Sequence, residues 1–349
     1  MTTTPDPDVR TDTAYAEMDA LGVGALWRHL GGLFPSEPPA RAIPYHWDYR
    51  RLRPYMLHFA DSLSIEEAQR RVLMLLNPGM RDTSATVTGL YAGIQIILPG
   101  EQAQAHRHSS NAFRYIIEGA GAYTTVSGER VHMSPGDLLL TPGWRWHDHY
   151  HEGEGPMMWL DGLDFPLVNS LDTAFFELYS DAAQKASVPD DLSSLQFIHG
   201  RLNPSWIGDR GPSSPIGKYP WTETARAFEA IADHATGSEV DGISLEYTNP
   251  WNGGPVMPTM ACRVQRLVPG FHGVARRHTA ATILHVVRGE GMTVVNGEEF
   301  HWHEKDVLAV PSWASYRHLN DSRTEDAVLF SYSNEPVVKA LGLYREELL

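Results

Sequence analysis

The sequence predicts a mainly β protein built from two copies of one β-barrel, with helical segments before, between and after them. Three observations point there. From about Thr86 to Asp164, and again from about Val240 to Glu335, short apolar or alternating runs are separated by Gly and Pro. The two stretches align with each other in order across a single one-residue gap. Outside them the texture turns helical or irregular.

In chain order, residues 1–15 are polar and Pro/Asp-rich and read as a flexible tail. Residues 16–85 form a helical N-terminal region. Within it Thr13 to Leu33 is weakly helical, and Pro35 to Pro54 is Pro- and aromatic-rich and reads as extended chain. Ser64-Ile65-Glu66-Glu67 is a capping box for a helix running on to Leu76, stopped by Asn77-Pro78-Gly79. Residues 86–168 make the first barrel, with strands expected at Ile94–Leu98, Phe113–Ile117, Ala122–Val126 and Leu138–Leu140, and turns at Ser127-Gly128 and Pro135-Gly136. Residues 169–240 are a helical and irregular linker that includes a helix over Thr222–Ala232. Residues 241–335 make the second barrel, and 336–349 a C-terminal helix.

At 349 residues the chain has room for about two domains and for sizeable cores. Its 28 basic and 43 acidic side chains leave a net charge of −15, which argues against nucleic acid or an anionic membrane as partner. The single cysteine, Cys262, excludes an internal disulfide and a cysteine-based zinc site. The first residues show no basic stretch followed by an apolar run. No run of about 18 apolar residues occurs. Together these lead us to expect a cytoplasmic protein. Histidine is the unusual residue: there are 17, and six of them fall between His106 and His151.

The duplication supplies an internal comparison. Pro99-Gly100 matches Pro269-Gly270, His108 matches His278, and Gly119-Ala120-Gly121 matches Gly289-Glu290-Gly291. Past the gap Gly128 matches Gly297, Asp137 Asp306, Pro142 Pro311, Trp144 Trp313 and His149 His318. Shared residues are mostly turn formers, which serve the fold. Residues present in one copy alone are available for chemistry. His106 becomes Arg276, His147 becomes Tyr316 and Arg114 becomes Leu284. The first copy therefore holds His106, His108 and His147, while the second keeps only His278. His106 and His108 at i and i+2 on a strand project to one face. A barrel can bring His147 from a later strand to meet them. Three imidazoles suit iron, zinc, copper or nickel better than magnesium or calcium. His132, His151, His301 and His303 read as surface residues.

These residues resemble a known family. Pro99-Gly100, His106-x-His108, Gly119-x-Gly121, Gly136-Asp137, Pro142 and His147 look like the two cupin motifs. The whole chain, from about residue 20 to 349, resembles the bicupins of the gentisate 1,2-dioxygenase family, which includes salicylate and 1-hydroxy-2-naphthoate dioxygenases. The specific cues are Leu75-Leu76-Asn77-Pro78-Gly79, Tyr91-Ala92-Gly93-Ile94-Gln95, Arg114-Tyr115-Ile116-Ile117-Glu118-Gly119, Trp146-His147-Asp148-His149, Trp159-Leu160-Asp161-Gly162-Leu163-Asp164, Gly253 to Met260 and Leu341 to Glu346. The resemblance implies two cupin (double-stranded β-helix, jelly-roll) barrels and one Fe(II) per chain, bound by His106, His108 and His147 in the first. The glutamate that many cupins add to this set is missing: Glu118 abuts Gly119, too late in the motif. That argues against an oxalate-type manganese site.

The resemblance also implies the reaction and its other residues. The substrate is an aromatic ortho-hydroxy carboxylic acid. O2 cleaves the bond between its carboxyl- and hydroxyl-bearing carbons and gives up both oxygen atoms, so gentisate would yield maleylpyruvate. Salicylate, 5-substituted salicylates and 1-hydroxy-2-naphthoate are the alternative substrates. A non-oxygenase metal cupin or a ligand-binding bicupin is the more distant alternative. Arg114 would pair with the substrate carboxylate. His149 would orient or deprotonate the phenol, or be structural like His318. Asp161 would support a histidine or arginine. Tyr91, Gly93 and Gln95 match the family's pocket-lining strand. An arginine from the N-terminal region, Arg70 or Arg71, would reach the substrate, and Trp146 is a further candidate for the pocket wall. Such enzymes are expected to be homo-oligomers, here a homotetramer.

Overall fold

The computed structural model describes residues 7–197, 202–208, 211–232 and 234–349, in two compact units, Met1–Pro39 and Ala40–Leu349. The first unit contains helix α1 (Pro7–Ala20), a single turn Leu26–Arg28 and the short α2 (Leu30–Leu33). Helix α1 begins inside the stretch read as a loose tail. Pro7 stands at a first helical position, where its missing N–H costs nothing. Residues 1–6 lie outside the described residues.

The second unit opens with β1 (Tyr45–Trp47), α3 (Tyr49–Ser62), α4 (Ile65–Ala68) and β2 (Arg71–Met74). The first lobe follows as β3 (Tyr91–Ile97), β4 (Gln102–His108), β5 (Ala112–Glu118), β6 (Ala122–Val126), β7 (Glu129–His132), β8 (Leu138–Thr141), β9 (His147–His151) and β10 (Met157–Leu163). The connecting region holds α5 (Phe165–Ser170), β11 (Phe176–Leu178), α6 (Leu192–Phe197), β12 (Lys218–Tyr219) and α7 (Trp221–Ala232). The second lobe is β13 (Ile243–Tyr247), β14 (Ala261–Leu267), β15 (Arg276–His278), β16 (Thr282–Arg288), β17 (Gly291–Val295), β18 (Glu298–Trp302), β19 (Val307–Val310), β20 (Tyr316–Leu319) and β21 (Ala327–Ser333), then α8 (Glu335–Ala340) and β22 (Glu346–Leu348).

Each lobe is a pair of facing sheets. In the first, β12-β8-β5-β10-β3-β2 faces β11-β4-β9-β6-β7; in the second, β1-β19-β16-β21-β14-β13 faces β18-β17-β20-β15-β22. The two six-stranded sheets are covered on both faces, so their strands read as near-continuous apolar runs. Along β5, Phe113, Tyr115 and Ile117 pack toward the second lobe, and the alternate residues Ala112, Arg114 and Ile116 face the interior of the first. Tyr115 stacks on Phe330 with ring centroids 4.1 Å apart, and Phe113 meets Tyr332 edge-on at 4.7 Å. Burying aromatic rings of this size contributes about 2–3 kcal/mol each.

The duplication reaches beyond the barrels. The run Phe165 to Leu178 repeats as Glu335 to Leu348. Both begin a helix with Pro at its second residue, both turn at a positive-φ residue (Asp172, Gly342), and both end as an edge strand. Arg107–Glu177 and Arg277–Glu347 ion pairs fasten those strands. Trp144 and Trp313 share φ +63°, and the two Xaa-Gly hairpin turns, Ser127-Gly128 and Asn296-Gly297, are left-handed in both copies. The one-residue gap falls in the Gly119–Gly121 turn, where Gly291, matched above to Gly121 (φ +94°), instead opens strand β17; an extra residue between β20 and β21 then restores the original offset.

Three local expectations are corrected. Pro35 to Pro54 is not all extended, because Asp48 caps α3 by accepting from the Arg50 N–H, and Pro54 is tolerated within the helix. The capping box at Ser64 forms, but α4 ends after one turn at Gln69 (φ +55°). The chain beyond pairs as β2 with β3, where Leu73 lies opposite Ile94 and Arg71 opposite Ile96, so sheet formation outweighs helix propensity. The C-terminal helix stops at Ala340, and the last residues pair with β15.

The lobes also exchange parts. Strand β1 precedes the first lobe in sequence but joins the second: Tyr45–Trp47 pair with β19, and at the start of α3, which lies against β2 and β3 of the first lobe, the Tyr49 N–H donates to Asp306 at 2.8 Å. The pair β12–α7 precedes the second lobe but extends the first: β12 pairs with β8, and the Trp221 N–H donates to Asp137 at 2.8 Å. The matched acids Asp137 and Asp306 thus each cap a helix supplied by the opposite half. A protease site inserted in the segment 202–208 tests this. After cleavage the halves are expected to co-migrate in gel filtration, and each half expressed alone to lack a cooperative unfolding transition; halves that fold separately would contradict the exchange.

Candidate metal centre

The alternation of β4 and β9 sends His106, His108 and His147 into the interior of the first lobe, with His106 and His147 directly opposite in the ladder. One nitrogen of each can lie within 4.8 Å of the other two, and among the described residues no other His/Cys/Asp/Glu group of three does so. His106 and His147 are buried and His108 partly so. Each ring faces a backbone carbonyl through Nδ1: Gln104 O at 3.2 Å for His106, Ser110 O at 2.8 Å for His108, and Arg145 O at 2.9 Å for His147. For His108 and His147 that puts the proton on Nδ1 and leaves Nε2 free; at His106 the Arg70 guanidinium also lies against Nδ1. His147 Nε2 is buried with no hydrogen-bond partner.

Charge is arranged to keep these rings neutral. Burial, then Arg70, holds His106 down to about 2. Burial brings His108 to about 4, with Arg114 and Arg70 adding to it, and burial with the neighbouring His106 holds His147 well below the usual range. Three neutral imidazoles with one nitrogen each within 4.8 Å of the other two form a donor set that fits a transition-metal ion.

The opposite wall comes from the six-stranded sheet. Arg114, Asp161 and Gly93 lie in one row across β5, β10 and β3, with Gln95 and Tyr91 one step to either side on the same face. Arg114 and Asp161 are buried, with Arg114 Nε 3.7 Å from the carboxylate; its Nη1 donates to Thr141 Oγ1 at 2.5 Å. Asp161 also accepts from Trp159 Nε1 at 2.9 Å, and burial, opposed by Arg114, brings it up to about 6. Arg114 Nε, Gln95 Nε2 and both ring nitrogens of His149 are buried without a partner. Orphaned polar atoms of this kind are costly unless a ligand satisfies them. Gly93 is needed because a Cβ there would lie 2.3 Å from the Tyr91 hydroxyl.

The structure distinguishes the two N-terminal arginines. Arg70 Nη2 donates to Gln104 O at 3.1 Å and lies against His106 Nδ1, whereas Arg71 is buried elsewhere, paired with Glu101 and donating to Leu63 O. Trp146 does not join the triad. It points away from the interior, alternate to His147, with Arg107 over its ring at 4.5 Å and Tyr179 beside it. His151, read as a surface residue, is buried, because it shares the inward face of β9 with His147 and His149. His132, His301 and His303 sit beside the carboxylates Asp190, Glu299 and Glu290.

The second lobe fills the same space with its own side chains. Arg276, in the place of His106, makes a two-point pair with Asp241 at 2.7 and 2.9 Å and donates to the Tyr316 hydroxyl, which His278 Nε2 also meets at 2.9 Å. A cavity of about 20 Å³ is left. His318 is tied to Thr293 through Nδ1, so the histidine shared by both lobes is hydrogen-bonded in the second and unpartnered in the first. Three more substitutions follow the same contrast and were open to sequence comparison: Asp161 becomes Ser331, Gly93 becomes Arg263 and Asn111 becomes Ala281.

Comparison with known proteins agrees with this picture. The Cupin domain family matches residues 93–162 and again 263–332. The chain is 37% identical to gentisate 1,2-dioxygenase 1 of Aquipseudomonas alcaligenes, over 95% of this chain and 94% of that one. It is 38% identical to 5-aminosalicylate 1,2-dioxygenase of a Comamonas species, over 96% and 90%. The crystal structure of salicylate 1,2-dioxygenase from Pseudoaminobacter salicylatoxidans with gentisate superposes with a TM-score of 0.91 at 34% identity, covering 99% of this chain and 96% of that one. The chain thus belongs to the gentisate 1,2-dioxygenase family of bicupins and is a ring-cleaving dioxygenase of that kind.

Proposed function

We propose that the chain cleaves gentisate or a related salicylate between the carboxyl- and hydroxyl-bearing carbons, with one Fe(II) held by His106, His108 and His147. The observation that carries this reading is the placement of three imidazoles, one nitrogen of each within 4.8 Å of the others, in the same lobe interior as the buried, incompletely paired guanidinium of Arg114. Iron bound there would activate O2 and draw electron density from a chelated phenolate ring. The relatives named above act on differently substituted hydroxybenzoates at nearly equal identity, so the shared chemistry is an aromatic acid with an ortho-hydroxyl.

The protein's own residues divide the work. Arg114 pairs with the substrate carboxylate; a guanidinium suits that planar acceptor, and Asp161 holds it in place. Arg70 supplies a second cation. With His106 coordinating through Nε2, its Nδ1 carries a proton and opposes the guanidinium donor beside it, so Arg70 turns from the ring toward the carboxylate. His149, kept neutral by burial and unpartnered, accepts a hydrogen bond from the phenol and orients it. Gln95 orients the ring substituents by hydrogen bonding, while Gly93 leaves room under Tyr91. Burial of His106, Arg114, His147, His149 and Asp161 limits the access of bulk water. We read the enzyme further as a cytoplasmic homotetramer. Among the described residues no helix is long and apolar enough to cross a membrane. In support of association, Phe175, Phe176 and Leu178 are about 60% exposed, an apolar surface that it would cover.

Purified protein reconstituted with Fe(II) is expected to bind close to one iron per chain and to consume O2 with gentisate or a substituted salicylate. His106→Ala and His147→Ala are expected to abolish both. Iron retention with full turnover in these variants would falsify the assignment. Arg114→Leu, which copies the second lobe, is expected to raise KM for the carboxylic acid about 100-fold, equivalent to about 3 kcal/mol, with iron content unchanged. An unaltered KM in steady-state O2 uptake would remove Arg114 from the substrate site.

A further inference from the structure

Asn111 lies in the loop between β4 and β5, is buried, and uses every polar atom of its side chain on a different segment of the protein. Its Oδ1 accepts from the Gly143 N–H at 3.0 Å. Its Nδ2 donates to Asp164 Oδ2 at 2.9 Å and to Thr259 Oγ1 at 3.0 Å, and its backbone N–H donates to Asp164 Oδ1 at 2.7 Å. The Thr259 hydroxyl in turn donates to Asp164, which is wholly buried, and closes a ring of three side chains. Thr259 belongs to the second half of the chain.

The two loops that Asn111 joins are those that orient the metal ligands. The first carries the Ser110 carbonyl that fixes His108; the second, Pro142 to Arg145, carries the Arg145 carbonyl that fixes His147. They touch closely: the Trp144 N–H donates to His108 O at 2.7 Å, and a Cβ at Gly143 would lie 2.4 Å from Ser109 O.

The second lobe provides a control within the same molecule. There Asn334 replaces Asp164 and still accepts from the backbone N–H of Ala281, so the backbone tie is kept. The side-chain tie is gone, because Ala281 stands where Asn111 does, and Ser312, in the place of Gly143, donates to Thr279 O instead. The backbone tie accompanies both lobes, and the amide bridge accompanies only the lobe with three histidines.

We propose that Asn111 is a positioning residue of the metal centre. Its amide, held by Asp164 and Thr259, sets the spacing of the loops that orient His108 and His147, and through Thr259 the second half of the chain contributes to metal affinity. This rests on metal binding at the triad, as read above. The effect acts through the hydrogen-bonded partners of ligands, whose loss typically weakens metal binding tenfold to a hundredfold.

The test titrates metal-free full-length protein with Co(II), following the visible spectrum. Asn111→Ala is expected to fold, as the second lobe does with alanine there, and to keep the melting temperature of the metal-free protein within a few degrees. Its Kd for Co(II) is expected to rise about 10- to 100-fold, with an altered ligand-field spectrum. Thr259→Val, which removes only the hydroxyl, is expected to weaken binding less, and to add little in the double variant because it acts through the same amide. A folded Asn111→Ala protein with wild-type Kd and spectrum would overturn the proposal, as would fully additive effects of the two changes. Should Asn111→Ala fail to fold, Thr259→Val decides alone, and a wild-type Kd overturns it. Wild-type protein that binds no Co(II) would instead overturn the assigned metal site.

Discussion

Each ring of the histidine triad is anchored through Nδ1 to a carbonyl two residues away on its own chain segment, and the rest of the site depends on that arrangement. At His108 and His147 it fixes which nitrogen carries the proton and leaves Nε2 free for a metal, and His106 would take the same tautomer once Arg70 moved off its Nδ1. It needs no distant partner, only a strand or a tight loop that keeps its local path. The sheets supply the strands, and the packed loops at Ser109 and Gly143 supply the rest. Burial then keeps the imidazoles neutral, with the guanidinium groups of Arg70 and Arg114 adding to it, because a further cation in that interior is unfavourable.

The second lobe shows what the scaffold does when that chemistry is removed. His278 keeps its ring anchored to the Ala280 carbonyl at 2.9 Å, so the local device survives by itself. What has changed is the content of the cavity. A guanidinium neutralised by Asp241 and capped by a phenol fills the space, and the lobe becomes a packed support. Its six-stranded sheet backs the first lobe through stacked aromatic rings, and Tyr332 donates to the backbone carbonyl of Tyr91 at 2.7 Å, which ties strand β3 to the other half. One lobe carries the chemistry and the other holds its wall in place.

Much of this was legible in the sequence because the duplication isolates it. Turn glycines, Asp137 and Trp144 recur, and their recurrence marks a fold. His106, Arg114 and His147 fail to recur, and their loss marks a site. Carried further, the same comparison would have exposed Asp161 and Asn111, and would have found the repeated Pro, Leu and Glu of the two tails. Other features had no local signal. The capping box at Ser64 is genuine, yet the helix it starts is cut short by pairing with a strand about 20 residues on. The exchange of the strands β1 and β12 between lobes goes with long-range caps at Asp306 and Asp137, which no nearby residue announces. The separation of Arg70 from Arg71 came down to strand alternation: one faces the triad, and its neighbour turns to Glu101.

The central claim is that a single ion sits between His106, His108 and His147 and nowhere in the second lobe. Anomalous scattering at the iron edge from crystals of the Fe(II)-loaded protein tests it most directly. The account expects one peak per chain, within coordination distance of the three Nε2 atoms. A peak beside His278 and Tyr316, or iron bound with the three first-lobe rings turned away from it, would contradict it.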